Sequence, residues 1–249
     1  MKNKIISLLS LTKKYNTKEG EIDAIKDITL DINKGDIISI LGPSGCGKST
    51  LLSIIAGLDK ETSGKLNIKD NLVKSYMLQH DALFNHLTIY ENAILGLKLQ
   101  KKLSDEHLDY VDYLFNFYKL TEFKNKYPKS LSGGMKQRVA LIRTLATKPD
   151  ILLLDEPFSA LDSQTRMIIC NDVYNIVRKE QKTVILVTHS IEEAIIFSNK
   201  VIVLSKRPST IKNIYDISLE YNESINKRRE SPNYNYYFSS IWKDLELDE

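Results

Sequence analysis

Gly42-Pro43-Ser44-Gly45-Cys46-Gly47-Lys48-Ser49-Thr50 stands between two apolar runs, residues 37–41 before it and 51–56 after it. The order is strand, glycine-rich turn, helix, and the turn fits G-x-x-x-x-G-K-[ST], the phosphate-binding loop. Three glycines let the backbone curl with its N–H groups pointing inward, and the dipole of the following helix adds positive potential at the same place. Lys48 is the residue to reach the β- and γ-phosphates, and Ser49 offers its hydroxyl to Mg²⁺. A tight strand-to-helix connection alone does not require Lys-Ser behind its last glycine, so a nucleotide site is expected here.

Outward from this loop, composition sets the bounds. The 249 residues suit one large domain or a domain with a subdomain, and 42% hydrophobic content is ample for a core. A net charge of +3 with 27% charged residues is nearly balanced and does not suggest nucleic-acid binding, which usually shows as a clustered basic face. Cys46 and Cys170 make no disulfide framework and have no metal-ligand spacing, so a reducing cytoplasm is the expected compartment. The start of the chain is too briefly apolar for a signal segment, and no run approaches the roughly 18 residues of a membrane helix.

Alternating apolar residues predict strands at 5–11 and 24–32 joined by a polar turn at 16–21. Short strands are expected at 65–68 and 75–78. Thr88-Ile89-Tyr90-Glu91 reads as a capping box with Leu87 as its staple, opening a helical region that runs to about Lys119. The aromatics Tyr110, Tyr113, Phe115, Phe117 and Tyr118 are expected to pack a small helical subdomain rather than to stack on bases. After Leu131, helices at 135–146, 164–179 and 191–197 alternate with apolar strands at 151–154, 183–187 and 201–204, which argues a parallel sheet covered on both faces. The predicted organisation is a nucleotide-binding core with an antiparallel β subdomain over residues 1–86, a helical subdomain over 87–135, the second part of the core over 136–205, and a C-terminal extension over 206–249.

Ile151-Leu152-Leu153-Leu154-Asp155-Glu156 is a buried strand ending in two acids, at the carboxyl end where open α/β sheets bind ligands. Asp155 is placed to hold Mg²⁺ and Glu156 to polarise the water that attacks the γ-phosphate. Between the loop and these acids lies Leu131-Ser132-Gly133-Gly134-Met135-Lys136-Gln137-Arg138. With it the chain resembles the ATP-binding-cassette (ABC) ATPases, whose signature is this Leu-Ser-Gly-Gly followed by Gln-Arg. Ser132, Gly133 and Gly134 at a helix N-terminus make a second anion site.

The resemblance covers roughly residues 5–205 and implies a P-loop NTPase fold with a RecA-like core. It also implies two cassettes, identical or paired, packed head to tail, each signature closing on the ATP of its partner. Gln79 resembles the Q-loop glutamine that contacts Mg²⁺ and the attacking water. Ser159-Ala160-Leu161-Asp162 resembles the D-loop, His189 the switch histidine at the γ-phosphate, and Tyr15 the aromatic that stacks on adenine. Retention of Lys48, Glu156 and His189 together implies a hydrolysing cassette using ATP and Mg²⁺.

A single cassette without membrane helices implies a separate permease and a peripheral place on the cytoplasmic side of the membrane. The stretch Gln79-His80-Asp81-Ala82-Leu83-Phe84-Asn85-His86-Leu87-Thr88-Ile89-Tyr90-Glu91-Asn92 is similar to importers of nitrate, sulfonate, taurine and related solutes, which also use a solute-binding protein. Thr188-His189-Ser190-Ile191-Glu192-Glu193-Ala194 and Val203-Leu204-Ser205-Lys206-Arg207-Pro208 point the same way. An exporter cassette is the alternative, followed by a non-transport cassette acting on ribosomes or DNA.

Two smaller expectations concern single features. Cys46, beside Lys48 and a helix N-terminus, is expected to favour its thiolate, so that alkylation inhibits and ATP protects. In the tail, Lys227-Arg228-Arg229 and the aromatics Tyr234, Tyr236, Tyr237 and Phe238 read as a solvated basic face with a small helix packed on the core. Lipid docking is the competing reading.

Overall fold

The chain opens with β1 (Lys4–Thr17), β2 (Gly20–Asn33), β3 (Ile37–Leu41), α1 (Lys48–Ala56) and β4 (Ser63–Ile68). It continues with β5 (Lys74–Met77), α2 (Ile89–Leu99), α3 (Asp105–Phe117), α4 (Gly133–Ala146), β6 (Ile151–Asp155) and α5 (Ser163–Lys179). It closes with β7 (Thr183–Val187), α6 (Ile191–Phe197), β8 (Lys200–Leu204), β9 (Ile211–Asp216), α7 (Ile225–Arg229) and α8 (Tyr234–Glu246). The computed structural model describes residues 3–18, 20–79, 82–219 and 224–246, so His80 and Asp81 of the importer-like stretch lie outside the described residues. Two compact units emerge: Met1–Leu72 with Cys170–Glu249, and Val73–Ile169. Among the described residues no helix is long and apolar enough to cross a membrane.

In the first unit, β2, β1 and β4 form a three-stranded antiparallel sheet. The hairpin between β1 and β2 is longer than its hydrophobic pattern: Tyr15 pairs with Ile22, Asn16 with Glu21 and Thr17 with Gly20, where a polar turn was expected. Lys14 reaches both Glu21 and Asp23, at 3.1 and 3.4 Å, and the backbone ladder continues through exposed residues that no core alternation marks. β3 is buried throughout and pairs in parallel with β7 on one side and β8 on the other. β9 then pairs antiparallel with β8, so this sheet is not wholly parallel; an antiparallel edge on a parallel sheet is common. α8 and its aromatics Tyr234, Tyr237 and Phe238 pack on Ile191, Ile195, Val201 and Ile217.

In the second unit, β5 and β6 pair in parallel from Lys74 and Ile151 to Met77 and Leu154. The region read as continuously helical is two helices, because Ser104 caps a new start by accepting the His107 N–H. The capping box at α2 is formed in full: Glu91 N–H reaches the Thr88 hydroxyl at 3.2 Å, and the Glu91 carboxylate accepts the Thr88 N–H at 2.8 Å. Phe115 and Tyr118 are buried, as expected of a helical core, while Tyr113 lies half-exposed between Tyr110 and Phe117. Buried Asn92 fixes the loop before α2 by donating to the carbonyls of Phe84, Leu87 and Thr88 at 3.1, 3.2 and 2.9 Å.

Candidate active site

The parallel register of the first unit decides what meets there. Ile40 of β3 lies opposite Val187 of β7, so both strands end at the same edge and release the phosphate loop and Thr188-His189 side by side. Gly42, Pro43 and Ser44 line a cavity of about 550 Å³ together with His189 and Ser190.

Within the loop, Gly47 sits at φ +118° as the residue before α1, and a Cβ there would stand 3.0 Å from the Ala24 carbonyl. Gly42 is equally confined, with the Leu204 carbonyl 3.0 Å from where its Cβ would lie. Both glycines are therefore demanded by the fold of the loop itself. Lys48 is buried and donates to the carbonyls of Gly42 and Pro43 at 2.7 and 2.9 Å, which curls its ammonium back over the loop. Ser49 is exposed at the first turn of α1.

Cys46 overturns the expectation made for it. It is 1% exposed, and burial pushes its thiol up against the opposing pull of Lys48 and Arg207. The helix N-terminus argument neglected desolvation, which is the larger effect here.

Arg207 is a site residue that sequence reasoning left without a role. From the β8–β9 connection its guanidinium donates twice to the Gly45 carbonyl, once from Nε at 3.1 Å, and it shares a cavity with Pro43, Ser44 and Cys46. The Arg-Pro pair was visible in the sequence; its partner, 162 residues away, was not.

Tyr15 donates to the Asp59 carboxylate at 2.7 Å, and the Lys13 ammonium lies 4.7 Å from its ring centroid. Lys13 and Tyr15 together hold the Asp59 carboxyl below the usual carboxylate range. Burial and that carboxylate raise the Tyr15 hydroxyl, so the phenol stays neutral and its ring is fixed on the exposed face of β1.

The second unit holds the acids. Because Met77 pairs with Leu154, Gln79 leaves β5 beside the end of β6, and its amide donates to the Glu156 carboxylate at 3.1 Å. Asp155 is buried and accepts from the Tyr76 hydroxyl at 3.2 Å. Glu156 has φ +46°, a left-handed conformation rare for a residue with a Cβ, and its carbonyl accepts from the Ser159 N–H and hydroxyl at 3.2 and 3.0 Å. Gln137 of α4 is buried and donates to the Pro157 carbonyl at 2.6 Å, tying the signature helix to the acidic turn. Arg138 likewise donates to the Tyr118 carbonyl at 3.2 Å. Ser132 caps α4 by accepting the Met135 N–H at 3.3 Å. Ser132 and Gly133 are exposed, and a Cβ on Gly133 would meet nothing within 4 Å.

Residues 25–159, more than half of the chain, match the model of a family described as ABC transporter. The chain belongs to the ABC transporter ATPase family. An uncharacterized ABC transporter ATP-binding protein, YtlC of Bacillus subtilis, is 44% identical over 94% of this chain and 93% of its own length. The nitrate import ATP-binding protein NrtD of Synechocystis is 39% identical over 90% of this chain and 86% of its own. Among solved structures, the dimeric ATP-binding cassette MJ0796 in a post-hydrolysis state bound to ADP and Pi superposes with a TM-score of 0.76 at 34% identity. It covers 86% of this chain and 99% of that one. This ABC ATPase therefore has the P-loop NTPase cassette fold, and the chain is an ATPase.

Proposed function

We propose that the chain energises import through a separate membrane permease. ATP is held between two cassettes packed head to tail on the cytoplasmic face. The observation that carries this reading is the presence of two anion-ready helix N-termini in one chain, one enclosed at 42–48 and one open at 132–134. One nucleotide does not need two γ-phosphate sites from the same polypeptide, whereas a second copy supplies the open one in trans.

In this reading Lys48 leaves the Gly42 and Pro43 carbonyls for the β- and γ-phosphates, the loop amides cradle the same oxygens, and Tyr15 stacks on adenine. Ser49, Asp155 and Gln79 are the residues that would hold Mg²⁺; hydroxyl, carboxylate and amide oxygen are the hard donors this ion prefers alongside substrate phosphates. When bound there, the ion would supply charge neutralisation for the transferring group. Glu156 orients and polarises the attacking water, with Gln79 fixing its carboxylate. His189 contacts the γ-phosphate, and Ser132, Gly133 and Gly134 of the second copy complete the cage. Glu156→Gln should keep ATP binding, accumulate as a dimer by size exclusion, and lose at least about 100-fold in turnover. Near-parental turnover would refute the role of Glu156.

The solute is proposed to be a small one of the nitrate, sulfonate or taurine kind, a reading supported by the nitrate-importer relative. Co-purification with a permease and stimulation of hydrolysis by a solute-loaded binding protein tests it. A permease that responds without any binding protein favours export.

A further inference from the structure

In the basic run of the tail Lys227 and Arg229 are exposed, as expected of a solvated face, but Arg228 between them is not. Arg228 on α7 is 3% exposed, and its guanidinium grips the last turn of α6. Nε donates to the Ile196 carbonyl at 2.6 Å, and Nη2 donates to the carbonyls of Ile195, at 3.2 Å, and Ser198. Its far face lies 5.4 Å from the Tyr174 ring centroid. Carbonyls at a helix C-terminus lack helical donors and favour a cation, so one forked side chain satisfies three acceptors at once. The next residue, Arg229, pairs with Glu192 in the first turn of α6 at 3.0 Å.

What α6 carries makes this clamp consequential. The helix begins directly after His189, and both chain neighbours of that histidine are tied into its first turn. The Thr188 hydroxyl donates to the buried Glu193 carboxylate at 2.6 Å, the Ser190 N–H donates to the Thr188 hydroxyl at 3.1 Å, and the Ser190 hydroxyl accepts the Glu193 N–H at 3.2 Å. The backbone of His189 therefore moves with α6. A helix of 7 residues is only about 10 Å long and marginal by itself, so what fixes its far end fixes its near end.

We propose that Arg228 is a positioning residue for His189: by holding the C-terminal carbonyls of α6 it aims the histidine at the γ-phosphate of bound ATP. The proposal rests on the role given to His189 above. Arg228 acts through α6 on the reacting phosphate, so its loss falls on turnover rather than on nucleotide affinity. Lysine keeps the charge but cannot fork across three carbonyls, so Arg228→Lys removes the clamp without leaving an empty cationic site.

The test is a double-mutant cycle on the purified protein, reading kcat, KM for ATP and nucleotide Kd for the parent, Arg228→Lys, His189→Ala and the double variant. Arg228→Lys should lower kcat about five- to tenfold with Kd unchanged, and should lower nothing further in the His189→Ala background. If His189→Ala turns over like the parent, the role of His189 has failed, and the proposal with it. If His189→Ala is slow and Arg228→Lys slows it again by the same factor, Arg228 serves the fold alone and the proposal is overturned. A shift in Kd matching the loss of kcat overturns it as well. Should Arg228→Lys not fold, Arg229→Gln at the exposed pair with Glu192 is run through the same cycle. A loss of about twofold confined to the parent background supports the proposal, and an equal loss in both backgrounds or none in either contradicts it.

Discussion

The phosphate loop and the signature turn are built from the same device, glycines at a helix N-terminus, yet their surroundings differ. The loop at 42–48 is enclosed: its lysine is parked on its own carbonyls, Cys46 is buried beneath it, and Gly42 and Gly47 each have a backbone carbonyl 3.0 Å from where a Cβ would stand. The turn at 132–134 is open at Ser132 and Gly133, with nothing within 4 Å of the absent Cβ of Gly133, and only at Gly134 does a side chain, Leu161 Cδ2, come within 3.2 Å of where a Cβ would lie. The glycines at 42 and 47 are explained by the loop's own fold. Gly133 is not, and the proposed closing of the turn on a second copy's nucleotide would give it a reason.

Matched substitutions sharpen that contrast. Gly47→Ala should cost about 1–3 kcal/mol of stability through its positive φ and the Ala24 carbonyl, lowering the thermal midpoint by several degrees and abolishing nucleotide binding. Gly133→Ala should leave the thermal midpoint and ATP affinity of the isolated chain unchanged while lowering turnover about tenfold or more. Equal destabilisation of the two variants in a melting experiment would erase the distinction between them.

Arg207→Ala tests a smaller element of the enclosed loop. Freeing the Gly45 carbonyl should raise the KM for ATP about three- to tenfold at little cost in kcat, as steady-state kinetics would read. Smallest of all is the effect of thiol reagents. With Cys46 buried and its thiol pushed up, alkylation of the folded protein should be slow and hydrolysis near parental after brief treatment; rapid, ATP-protected inactivation would show the loop to be more open than described.

The same contrast explains what was legible in the sequence. Loop, acids, signature and capping box are local patterns whose chemistry follows from adjacent residues, and β7 and α6 appear with the boundaries their periodicity gave. β9 was missed because Ile211-Lys212-Asn213-Ile214-Tyr215-Asp216 is a half-exposed edge without a clean alternation. The hairpin end at 14–23 was missed because polar strand residues look like a turn. Arg228 was misread because its partners are backbone carbonyls some 30 residues away, so nothing beside it in the chain separates a buried clamp from a charged surface. Cys46 was misread because its neighbours in sequence advertise positive charge, and only the folded loop shows the burial that outweighs it.

The central claim is that an open signature turn completes another copy's enclosed loop, and mixing two inactive variants tests it most directly. Lys48→Ala disables the loop and Gly133→Asp blocks the signature. In a head-to-tail dimer of one of each, both lesions fall on one site and the other site is intact. Mixing equal amounts of the two should restore hydrolysis to about a quarter of the parental rate when dimers form at random and sites act independently. A mixture as inactive as its components would contradict the account, because it would mean that each chain's signature serves its own loop.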